Sequence, residues 1–138
     1  MAWIAVIILV VDRAVKLIAL KTTIFEGTIN SSLVFYFSTD PLISQLVSVG
    51  ALGGIVGMAA LYGKQLNDAL MRTTYIPLIL VFGGGASNVI DRFIYGGVID
   101  MFTIPDVTVF NVADMAVLGG AAWLIYAIWH QKYIQERS

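Results

Sequence analysis

Apolar residues run along this chain in four long blocks separated by short polar intervals. The blocks cover residues 2–20, 42–62, 69–92 and 112–130. Each is close to the ~20 residues with which a helix crosses ~30 Å of hydrocarbon. Four transmembrane helices are therefore predicted. The first block carries Asp12, Arg13 and Lys16 well inside it. A removable leader places its cations ahead of the apolar core and a small-residue cleavage site behind it, so a retained helix is expected here.

Two of the intervals have a different texture. Residues 28–37 (TINSSLVFYF) and 103–110 (TIPDVTVF) are rich in β-branched and aromatic side chains, which favours short strands. They are expected to form one small sheet at the lipid–water boundary, because open sheet edges are not tolerated in hydrocarbon. The chain shows no internal repeat or low-complexity tract. The predicted architecture is an all-α membrane protein, one domain over residues 1–138, with four transmembrane helices and a small extracytoplasmic β-sheet.

Composition strengthens this picture. Hydrophobic residues make up 59% of the chain and charged residues 12%, against about a quarter charged in soluble domains. Lys64 lies between the second and third blocks and Arg72 at the start of the third, and Lys132 and Arg137 follow the fourth. Cationic loops stay cytoplasmic, so both termini are expected inside. The connections holding Glu26, Asp40, Asp100 and Asp106 then face outward.

Composition also excludes several chemistries. The chain has no cysteine, which removes thiol catalysis, disulfides and thiolate metal sites. A lone histidine, His130, builds neither a histidine zinc site nor a Ser-His-Asp triad and suits the membrane interface. A net charge of −1 with no basic patch gives no footing for nucleic acid. Gly83-Gly84-Gly85 lacks the Gly-Lys-Ser/Thr that completes a phosphate loop, so close helix packing is expected there. The Gly-x-x-x-Gly spacings at Gly50/Gly54 and Gly53/Gly57 are expected to serve packing within the chain rather than a dimer, leaving a monomer.

The chemistry that remains is carboxylate, hydroxyl, lysine and amide, and four of the aspartates with Arg92 gather between residues 83 and 114. Asp100 and Asp114 are separated by a hairpin-like excursion that can return both carboxylates to one site. Two carboxylates sharing a proton can deprotonate a water while the protonated partner assists a carbonyl or a leaving amine. The competing reading is ordinary outer-loop acids. Asn111 stands at the expected N-cap of the fourth helix with Asp114 three residues on, so Asp114 is also a first-turn carboxylate favoured by the helix dipole. That bias makes Asp100 the expected proton holder. Asn88 and Arg92, four apart, share a helix face and can orient a peptide carbonyl or a lipid ester oxygen. Asp12 and Lys16 share the same spacing and are expected to form a buried ion pair, with Asp91 pairing to Arg13 or Lys16.

Five segments, Asp12-x-x-x-Lys16, Asn30 followed by Phe35, Asn88-x-x-Asp91-Arg92, Val98-Ile99-Asp100-Met101-Phe102 and Phe110-Asn111-x-Ala113-Asp114, carry a family likeness. Together they resemble the lipoprotein signal peptidases (signal peptidase II), the membrane aspartyl proteases of bacteria. The resemblance implies that Asp100 and Asp114 are the catalytic pair. Asn88, Arg92 and Asn111 would line the site, Asn30 would support the substrate, and Asp12, Lys16 and Asp91 would support the site itself. It implies cleavage of diacylglyceryl-modified prolipoproteins just before the lipidated cysteine, at the outer face of the bacterial inner membrane. The implied partners are that substrate and membrane lipids, and no metal or organic cofactor is implied. The chain departs from the family pattern in having Ser87 for a usual glycine, Ser32-Leu33 for Gly-Ala, and a shorter segment between the aspartates.

Two other classes compete. A small transporter or channel subunit would use intramembrane charges as an ion path. It would need acids spread through the bilayer depth, whereas here they cluster toward one face apart from Asp12. A Ser/Lys peptidase would pair Ser31, Ser32 or Ser87 with Lys16 or Lys21, and no spacing selects such a pair.

Overall fold

The structure, a computed structural model, describes residues 3–22, 27–30, 40–62, 68–105 and 107–135. Its elements in order are α1 (Trp3–Lys21), β1 (Thr28–Asn30), α2 (Pro41–Tyr62), α3 (Asp68–Tyr95), β2 (Val98–Asp100), β3 (Phe102–Ile104), β4 (Thr108–Phe110) and α4 (Val112–Gln135). The fold is mostly helical. Two helical stretches, Thr73–Tyr95 and Val112–His130, are long and apolar enough to cross a membrane. α1 carries Asp12, Arg13 and Lys16 along its length.

α3 is the central helix, packing most extensively on α4 and also meeting α1 and α2. The triple glycine explains how. Successive helical residues point about 100° apart, so three in a row address three neighbours. A side chain at Gly83 would press on Ala5 of α1 at 3.2 Å, and one at Gly85 on Leu52 of α2 at 3.2 Å. One at Gly84 would run into the Ala113 carbonyl of α4 and stand 2.9 Å from Val117. Lower down, Gly120 of α4 admits the Pro77 carbonyl, 2.8 Å from where a Cβ would stand. The close packing expected of the glycine run is what the helices do.

The glycines of α2 behave otherwise. A Cβ at Gly50, Gly53, Gly54 or Gly57 meets nothing within 4 Å among the described residues. Among the described residues they therefore have no packing partner. α2 meets α3 through other positions, Leu52 against Gly85 and Gln45 against the end of α3.

α3 ends at Tyr95, beyond the predicted Arg92, because the stop signal lies in Gly96. Gly96 adopts φ 73° and its N–H donates to the Arg92 carbonyl at 3.1 Å, a left-handed cap suited to glycine. The Gln45 amide donates to the same carbonyl at 2.7 Å. α4 likewise runs on to Gln135, past the predicted 130.

The strands form two small sheets instead of one. β1 pairs antiparallel with β2, Ile29 opposite Ile99, and β3 pairs with β4, Thr103 opposite Val109. The first outer segment therefore joins a strand that leads straight out of α3, not the second outer segment. Gly97 permits this, since any side chain there would sit 2.8 Å from the Asn30 carbonyl. Residues 31–37 of the expected first strand lie outside the described residues.

Burial is inverted relative to a water-soluble domain. Asp12, Lys16, Ser87, Asp91 and Asn111 are almost wholly buried, while Trp3, Val6, Val10, Leu118, Ile125 and Trp129 are exposed. These polar groups face inward and these apolar ones outward.

These contacts give opposite expectations for two glycines. Gly84→Ala should cost about 1–3 kcal/mol by overpacking against Ala113 and Val117. Gly53→Ala, in open space, should stabilise its helix by roughly 0.5–1 kcal/mol. Thermal unfolding in one detergent would compare them, and equal shifts would contradict this packing.

Candidate active site

The site is built where α1, α3 and α4 meet the strands. On α1, the Asp12 carboxylate has no free face. Its Oδ1 accepts the Ala113 backbone N–H at 2.9 Å, and its Oδ2 accepts the Ser87 hydroxyl at 2.6 Å and the Lys16 ammonium at 2.6 Å. Lys16 Nζ also lies 2.6 Å from Asp91 Oδ2 and 3.3 Å from Asn88 Oδ1. Arg13 Nη2 reaches Asp91 Oδ1 at 2.6 Å and the Ser87 carbonyl at 2.7 Å. Two acids face two bases, so the cluster is formally neutral. Burying such charges unpaired would cost several kcal/mol each, which explains the density of partners. Asp91 thus pairs with both of the cations expected for it.

The start of α4 carries the second half. Asn111 is its N-cap: the side-chain Oδ1 accepts the Asp114 N–H at 3.0 Å, and Asp114 Oδ2 accepts the Asn111 N–H at 3.1 Å. This reciprocal pair is a capping box with aspartate in the usual glutamate place. The other end of the Asn111 amide, Nδ2, donates to Asp100 Oδ1 at 2.7 Å. One buried asparagine therefore touches both aspartates. Asp100 arrives on β2, and its Oδ2 accepts Asn30 Nδ2 from the opposing strand at 3.0 Å. Asp114 Oδ1 accepts Asn88 Nδ2 from α3 at 2.7 Å. Buried Arg92, one turn beyond Asn88, is attracted by Asp114, Asp100 and Asp91, and its Nη1 donates to the Asn88 carbonyl at 3.4 Å.

The structure thus brings Asp100, Asp114, Asn111, Asn88, Asn30 and Arg92 together, with Asp12, Lys16 and Asp91 directly behind Asn88. Burial pushes the Asp100 carboxyl above the ordinary carboxylate range. The amides of Asn111 and Asn30 oppose that rise, Asp114 adds to it, and Lys16 opposes it. Among the described residues no cluster of three or more His, Asp or Glu side chains could hold a metal. An apolar groove of about 390 Å³ between α1 and α4, lined by Ile7, Val11, Leu80 and Met115, contains none of these polar groups.

Some contacts were beyond sequence reasoning. The Asp12–Ala113 bond joins residues 101 positions apart, and no spacing announces it. Ser87 entered as a conceivable nucleophile and as a departure from a usual glycine, yet its hydroxyl is fully buried and donates to Asp12. Its neighbour Lys16 is occupied by two carboxylates. The Ser31 and Ser32 alternatives lie outside the described residues.

Known proteins resemble this chain. A family model described as signal peptidase (SPase) II matches residues 4–130. The lipoprotein signal peptidase of Chlorobium phaeobacteroides is 32% identical over 149 aligned positions, 98% of this chain and 83% of that protein. That of Nitrobacter hamburgensis is 32% identical over 99 positions, 66% of this chain and 58% of its own length. The present chain thus matches less than two thirds of the latter relative. A solved bacterial membrane enzyme, determined by the in meso method, has the same fold. It superposes with a TM-score of 0.71 over 94% of this chain and 87% of its own, at 20% identity.

The Asp100 environment fixes a titration. Its folded-state value lies above the unfolded one, so the protonated form favours the fold, and that contribution disappears as pH rises through the folded-state value. Asn30→Ala removes a donor that supports the ionised form. The Asp100 midpoint, followed by carbon NMR of labelled carboxyls, should move further up. An unmoved or lowered midpoint would contradict the assignment.

Proposed function

The chain belongs to the signal peptidase II family, and on that premise we propose that it is an aspartyl endopeptidase of lipoprotein processing. It releases the signal peptide of diacylglyceryl-modified prolipoproteins just before the lipidated cysteine. The observation that carries this reading is Asn111, whose single side chain holds Asp100 through one end and the first turn of Asp114 through the other. A water placed between two carboxylates so joined can be worked from both sides.

In this mechanism Asp114, set by two N–H donors at a helix amino terminus, takes a proton from water as the oxygen attacks the scissile carbonyl. Asp100, the protonated partner in this mechanism, gives its proton to the carbonyl oxygen. Collapse of the tetrahedral intermediate breaks the C–N bond. The leaving nitrogen takes the proton from Asp114, and the carbonyl oxygen returns the other to Asp100. Both side chains end as they began, and no external reactant beyond water is required. Arg92 and Asn30 orient the substrate backbone beside them, and Asp12, Lys16 and Asp91 brace the site.

All four helices cross the bacterial cytoplasmic membrane in this reading, with both termini inside and both sheets at the outer face. α1 can span because its internal charges are neutralised against α3. The working unit is a monomer whose partners are membrane lipids and the lipidated prolipoprotein. The transporter alternative gains no support, because Asp12, Lys16, Asp91, Asp100 and Asp114 are linked into one cluster rather than a path.

Purified protein should cleave a lipid-modified prolipoprotein in detergent. Asp100→Asn and Asp114→Asn should each lower kcat by roughly 10²–10⁴-fold, the span expected for loss of a general acid or base. Wild-type-like turnover in either variant would remove the two-aspartate mechanism.

A further inference from the structure

The amide of Asn88 has both ends engaged, and by partners of opposite charge. Its Oδ1 accepts from Lys16 Nζ at 3.3 Å, and its Nδ2 donates to Asp114 Oδ1 at 2.7 Å. An ammonium only donates and a carboxylate only accepts, so this orientation is forced. A flipped amide would set N–H against ammonium and C=O against carboxylate. Lys16 has three N–H donors and three acceptors, Asp12, Asp91 and Asn88, and is almost wholly buried. Asp114 is anchored at both oxygens, Oδ1 by Asn88 and Oδ2 by the Asn111 N–H.

From this geometry we infer that Asn88 is not a substrate ligand but a positioning residue, relaying the buried Lys16 ammonium to Asp114 and fixing its carboxylate plane. The inference rests on the aspartyl peptidase reading. Hydrogen bonds in series between a cation and an anion polarise one another. A carboxylate pinned at both oxygens presents its remaining lone pairs to water in one geometry, and small misplacements of reacting groups are costly in rate. The charged groups around Asp114 fit this division of labour. Lys16 reaches it from α1 through Asn88, Arg92 attracts it from α3, and Asp100 approaches from β2 through Asn111. Asp12, also on α1, is kept off it by Ser87, Lys16 and Ala113.

The test is steady-state cleavage of a peptide bearing a diacylglyceryl cysteine by the full chain and four variants. Asn88→Ala removes the relay. Asn88→Asp keeps an acceptor for Lys16 but cannot donate to Asp114. Lys16→Met with Asp91→Asn removes the cation together with one of its acids, so the cluster keeps its formal neutrality. The fourth combines Asn88→Ala with that pair. We expect both Asn88 variants and the Lys16/Asp91 variant to lose kcat roughly tenfold or more with KM within about threefold. The combined variant should be no worse than the poorer of its parents, the mark of coupled residues. Wild-type kcat in Asn88→Asp would overturn the relay, as would multiplying effects in the combined variant. A raised KM at unchanged kcat would place Asn88 on the substrate and equally overturn it. Should the Lys16/Asp91 variant not fold, Asn88→Asp alone decides. Failure of the wild type to cleave would instead defeat the peptidase reading itself.

Discussion

A carboxylate on the first helix grips the amino terminus of the last. Asp12 accepts the Ala113 N–H, one of the donors that a helix cannot satisfy within itself. That contact fixes where α4 begins relative to α1. The partners of Asp12 fix the rest, since Ser87 brings in α3 and Lys16 reaches on to Asp91 and Asn88. Charges in so apolar a chain are tolerable only when each is paired, and the pairing requirement draws the helices together at one end. The same end receives the strands that deliver Asp100 and Asn30.

Packing and polarity divide the helix interfaces between them. Near the site the interfaces are hydrogen-bonded and ionic, whereas along α3 they are set by glycines that let backbones approach. Lipid gives apolar side chains little reason to leave it, so close backbone contact and internal polar bonds hold such a bundle. The exposed Leu118, Ile125 and Trp129 of α4 are consistent with that setting.

Local spacing made part of this legible in the sequence. The Asp12–Lys16 pair follows from one helical turn, and the Asn111–Asp114 box from the N-cap pattern. The triple glycine and the β3–β4 hairpin were likewise readable, since each is a short-range signal. What stayed hidden depends on which distant segments meet. The pairing of β1 with β2 needed the absence of a side chain at Gly97, and its partner choice is written nowhere locally. Gly-x-x-x-Gly in α2 names a smooth face but not its neighbour. The dual role of Asn111 was half visible: its capping follows from position, but its hold on Asp100 depends on how β2 leaves α3.

Gly84 and Asn88 stand one turn apart on α3, the first against Ala113 and the second against Asp114. The helix thus meshes with α4 like a gear, a notch on one tooth and a reactive contact on the next. One residue inserted between them would leave hydrophobicity untouched yet swing Asn88 about 100° away from Asp114. Length, as much as identity, is encoded in that single turn.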